Sequence, residues 1–68
     1  MDLTWEEGYE ITVGCENGAA VISANREGLL SLANHLKELA DEPSGSHIHL
    51  DQWNSLEDGS TELIIEKQ

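Results

Sequence analysis

Tyr9, Ile11, Val13 and Cys15 alternate with Glu10, Thr12, Gly14 and Glu16, the period-two pattern of a strand with one buried face. Asn17-Gly18 follows, a dipeptide that accepts positive φ at both central positions of a type I′ turn. Ala19 to Ser23 then reads as the return strand, carrying Val21 and Ile22. Beyond it the period changes. Leu29, Leu32, Ala33, Leu36, Leu39 and Ala40 recur at spacings of three and four, one apolar helical stripe, with Asn34, Lys37, Glu38 and Asp41 mostly on the other side. Asn25 is the expected N-cap, Glu27 suits the positive end of the helix dipole, and Pro43 and Gly45 stop the helix, predicted over Arg26 to Asp41. A shorter alternation follows, with Ile48 and Leu50 set against His47, His49 and Asp51. Gln52 to Leu56 is irregular, and Asp58-Gly59 is a second hairpin-turn signal. Thr61 to Lys67 reads as the closing strand, Leu63 and Ile65 inward and Glu62, Ile64 and Glu66 outward. Leu3 and Trp5 alternate as well, so residues 1–8 are either a frayed start or an extension of the first strand, broken at Gly8.

One amphipathic helix needs an apolar surface to cover, and only a sheet face offers one. The expected fold is therefore α+β in the order ββαββ. It is a two-layer sandwich in which a single helix covers one face of a four-stranded, mostly antiparallel sheet. No internal repeat, linker or low-complexity tract divides the chain, so residues 1–68 read as one small domain.

Composition narrows the function classes. Fourteen acidic residues stand against three basic ones, a net charge of −11 in 68 residues. Such a chain cannot neutralise phosphates and is repelled by an anionic membrane surface, so neither nucleic acid nor membrane is an expected partner. A basic protein is the electrostatic complement. A domain this size buries only about 60% of its unfolded surface, which leaves little room for a deep catalytic cleft. The lone Cys15 cannot form an internal disulfide, and the acidic start Met1 to Glu7 is the opposite of a signal peptide's basic n-region. A reducing cytoplasm is the expected compartment.

The sharpest chemical constellation is His47-Ile48-His49-Leu50-Asp51. On a strand, residues two apart share a face, so His47, His49 and Asp51 would align as a zinc-type donor set or simply line a solvated face. In a single sheet the same face also carries Glu10, Thr12, Glu62, Ile64 and Glu66, an acidic surface with nothing left in the chain to cover it. Trp53, in the irregular segment, is either an interface anchor or a cap on the end of the core. His35, beside the apolar stripe, reads as a boundary residue reaching water, and Cys15 as a small core residue. The serines lack a nucleophile-elbow context and the glycines form no phosphate loop, so no enzyme and no cofactor are expected.

The stretch Asn25-Arg26-Glu27-Gly28-Leu29-Leu30-Ser31-Leu32-Ala33-Asn34-His35-Leu36 resembles the signature of a small bacterial family. So do the later His47-Ile48-His49-Leu50-Asp51, Asn54-Ser55-Leu56-Glu57-Asp58-Gly59 and Glu62-Leu63-Ile64-Ile65-Glu66. The chain is similar, from about Ile11 to Lys67, to the immunity protein 32 class of bacterial polymorphic-toxin systems. That resemblance implies a non-enzymatic protein that neutralises a cognate toxin by direct binding, and it carries over no residue roles. Strong acidity suits capture of a basic toxin. The expected contact residues are Glu10, His47, His49, Asp51, Trp53, Glu62 and Glu66. The rival readings are a metal-binding module on His47, His49 and Asp51, and a homo-oligomer (a homodimer in its simplest form) paired through the open sheet face.

Overall fold

The computed structural model describes residues 1–68 and has the expected element order. Strand β1 is Ile11–Glu16, β2 Ala19–Ala24, helix α1 Arg26–Ala40, β3 His47–Leu50 and β4 Leu63–Glu66. β1 and β2 form an antiparallel hairpin running from Glu16↔Ala19 to Ile11↔Ala24. Its two turn residues, Asn17 (φ 51°) and Gly18 (φ 83°), both adopt the left-handed conformation that the dipeptide predicts.

The single four-stranded sheet is not formed. The strands make two separate two-stranded antiparallel sheets, β1–β2 and β3–β4. The segment between β3 and β4 explains the break. It crosses to the free edge of β1, where Glu57 N–H donates to the Ile11 carbonyl (2.9 Å) and Thr61 N–H to the Val13 carbonyl (2.7 Å). Val13 N–H in turn donates to Ser60 Oγ (3.2 Å), a hydroxyl in the place of a strand carbonyl. Asp58-Gly59 does turn the chain, with Ser60 N–H bonded to the Glu57 carbonyl and Gly59 at φ 84°. It turns this edge segment, however, rather than joining two paired strands. The edge of β1 is thereby covered without a regular ladder.

Asn25 caps the helix and ties it to β1. Its Oδ1 accepts from Gly28 N–H (2.8 Å) and from Glu10 N–H (3.0 Å), while Nδ2 donates to the Gly8 carbonyl (3.0 Å). At the other end Asp41 is the C-cap, and Lys67 Nζ donates to the Ala40 carbonyl.

The helix is turned relative to the predicted stripe. Its buried residues are Gly28, Ser31, Leu32, His35 and Leu39, whereas Leu29, Ala33, Leu36 and Ala40 are exposed. Two contacts set this rotation. Gly28 lies so close to the hairpin that a Cβ there would meet the Glu10 carbonyl oxygen at 2.6 Å. Ser31 and His35 receive the N-terminal segment: Glu6 N–H donates to Ser31 Oγ (2.8 Å), and Trp5 packs edge-on against His35 while stacking on Tyr9. Residues 1–8 form no strand, yet Leu3 and Trp5 pack on the core.

His35 is therefore buried rather than reaching water, at 1% exposure. Neither ring nitrogen has a hydrogen-bond partner of normal geometry. Loss of hydration holds its pKa below the ordinary 6.5, an effect the Thr4 backbone offsets in part. Cys15, expected in the core, is exposed near the hairpin tip. The core itself unites Ile11 and Val13 of β1, Leu32 and Leu39 of α1, Ile48 and Leu50 of β3, and Leu56 from the connecting segment.

Candidate interaction face around His49 and Trp53

Alternation along β3 sends Ile48 and Leu50 into the core and leaves His47 and His49 outside. The antiparallel register sets His49 opposite Ile64 and His47 opposite Glu66, so these four side chains share the outer face of the β3–β4 hairpin. Ile64 is 56% exposed there, an apolar residue among polar neighbours.

Immediately after β3 the chain makes a tight polar turn. Asp51 Oδ1 accepts from the N–H groups of Trp53 (2.9 Å) and Asn54 (3.0 Å), an Asx arrangement. Asn54 returns the contact, accepting from Asp51 N–H (3.0 Å) and donating Nδ2 to the His49 carbonyl (3.1 Å). With Oδ1 so engaged, Asp51 presents Oδ2 to His49 Nε2 at 3.5 Å. Glu62 approaches the same nitrogen from the β4 side, its Oε2 at 2.9 Å.

His49, Asp51 and Glu62 each offer one donor atom, all within 4.8 Å of one another. Imidazole with two carboxylates is chemistry suited to zinc or another divalent transition metal. The set differs from the one read off the strand alone. Glu62 takes the third place, and His47, two residue pairs further along the ladder, is outside the cluster. The strand period found His49 and Asp51, but Glu62 is added by pairing with a distant segment, which no local spacing reports.

The same turn projects Trp53 into solvent at 84% exposure. It does not cap the core; Leu56 fills that place, buried at 5%. The backbone under the indole is fixed by the Asp51 turn and by Gln52, whose Oε1 accepts from Gly59 N–H (2.9 Å). Along the same connecting segment and on β4, Glu57, Asp58, Glu62 and Glu66 are exposed carboxylates. Glu10 belongs to a different place, at the entrance to β1, where its carboxylate faces Asn25 Nδ2 at 3.4 Å. Thr12 is likewise on the other sheet. The single acidic face expected across all four strands is thus divided between two sheets.

The two surface depressions lie elsewhere. One is on the β1–β2 hairpin between Thr12 and Val21, and the other lies between Thr4 and Lys37. No helix is long and apolar enough to cross a membrane.

The sequence model of the family described as immunity protein 32 matches residues 20–68. The match takes in β2 from Ala20 onward, the whole helix, the β3–β4 pair and the turn that carries Trp53, and it leaves β1 and the N-terminal segment outside. No curated protein and no solved structure matches the chain. Since the matched residues make up well over half of the sequence, the chain belongs to the immunity protein 32 family.

Proposed function

We propose that this immunity protein acts without catalysis, by binding a cognate basic toxin and occluding its working surface. The observation that carries the reading is Trp53. A large aromatic side chain stands 84% exposed on the hydrogen-bonded turn that directly follows β3, the strand paired with β4 and its exposed Ile64 and Glu66. An aromatic anchor on a pre-ordered backbone, ringed by charge, is the arrangement that concentrates binding energy at protein interfaces. The net charge of −11 accelerates encounter with a basic partner. Carboxylates spaced on a rigid hairpin can also occupy phosphate-binding positions of a toxin that acts on nucleic acid. The contact set is His47, His49, Asp51, Trp53, Glu62 and Glu66, with Glu10 at the edge of β1.

Capture from native host lysate at low and high salt, read by mass spectrometry, tests this reading. One basic protein recovered in stoichiometric amount and released by salt supports it. A captured partner whose affinity is unchanged by charge reversal at Glu62 and Glu66 contradicts it.

A further inference from the structure

We infer that the exposed flank of α1 is a self-association surface, on which a second copy of this chain packs helix against helix and antiparallel. The rotation of α1 leaves Leu29 (55% exposed) and Leu36 (48%) outside the core, in line with exposed Ala33 and Ala40. Spacings of four, three and four place these residues on one seam of the helix. The seam alternates large and small. An antiparallel partner brings Leu29 level with Ala40 of the second copy and Ala33 level with Leu36 of the second copy. Each leucine then meets an alanine, which lets two helices approach closely along the whole seam.

Charge selects the same occupant. Of the three cations in the chain, Arg26 and Lys37 are exposed beside this seam, and Lys67 bonds to the Ala40 carbonyl at its end. A basic toxin is therefore poorly suited to this surface, unlike the carboxylate-rich turn around Trp53. The antiparallel alignment instead sets Arg26 of each copy beside Asp41 and the negative helix end of the other. Arg26 is free for this, since its only ion pair is a 3.7 Å contact to neighbouring Glu27 on an 80% exposed side chain. Two copies of net charge −11 repel through the rest of their surfaces, so added salt strengthens the dimer.

Sedimentation equilibrium of the full chain at low and high salt reads this directly. The expected result is a concentration-dependent dimer, favoured by salt and weakened at least about tenfold by Leu36→Glu. Leu36 is half exposed, so circular dichroism of that variant should match the parent. In a Cys15→Ser background, oxidation of Ala33→Cys mixed with Leu36→Cys should give a crosslinked heterodimer, as should Leu29→Cys mixed with Ala40→Cys. A monomer at every concentration and salt overturns the inference. So does a dimer that survives Leu36→Glu, or one abolished by Ile64→Glu on the other face.

Discussion

The indole of Trp5 meets the imidazole of His35 edge-on, ring centroids 4.2 Å apart and planes at 80°. This contact closes the N-terminal segment over a part of α1 that contributes a histidine and a serine rather than leucines. Burial of this imidazole disfavours its charged form, more than the Thr4 backbone compensates.

That relationship fixes a pH dependence. His35 has a folded-state pKa below its ordinary 6.5, so above 6.5 it is neutral in both states and stability is complete. As pH falls through 6.5, the unfolded chain takes up the proton first, and stability declines toward the folded-state value. The melting temperature should therefore fall as pH is lowered below about 6.5, and His35→Phe should flatten that decline. Equal slopes for parent and variant would remove His35 as the cause.

Gly28 should not tolerate even a methyl group. Alanine is intrinsically the better helix former by about 1 kcal/mol, which alone predicts a gain. Here the added Cβ meets the Glu10 carbonyl oxygen at 2.6 Å, Ile11 Cγ1 at 2.9 Å and Ala24 Cβ at 3.0 Å. Backbone and strand must shift, at a cost of about 1–3 kcal/mol. Urea denaturation of Gly28→Ala should show a net loss, and a stabilised variant would contradict the close packing.

Asn25 offers a graded test of a cap that also ties two elements together. Asn25→Ser keeps an oxygen for Gly28 N–H but removes the Nδ2 donor to the Gly8 carbonyl. Asn25→Ala removes both and should destabilise by about 1–2 kcal/mol, with serine between alanine and the parent. Chemical denaturation orders the three; serine equal to asparagine would mean that the link to Gly8 contributes nothing.

These positions show what the chain declares locally and what it does not. The β1–β2 hairpin was legible because Asn17-Gly18 decides its own turn, and the helix ends because Asn25 and Pro43 act on adjacent backbone. His49, Asp51 and exposed Ile64 followed from strand alternation. The rotation of α1 was not legible, since a leucine-rich stripe and a Gly-Ser-His stripe lie side by side on one helix. Only the close approach at Gly28 and the cover supplied by Trp5 choose between them. The division of the sheet was hidden likewise. Residues 57–61 satisfy β1 through two N–H groups and the hydroxyl of Ser60, a solution with no strand period to read.

The exposed aromatic separates binding from folding. Trp53 contributes no core contact, so Trp53→Ala should leave stability within about 0.5 kcal/mol of the parent. Its loss should nonetheless be costly to a partner that seats the indole.

The most direct measurement is isothermal titration of the captured toxin with the parent protein, Trp53→Ala and Glu62→Lys. The account predicts stoichiometric binding by the parent, at least about a tenfold loss of affinity for each variant, and unchanged folding by circular dichroism. Full-strength binding by both folded variants would contradict it.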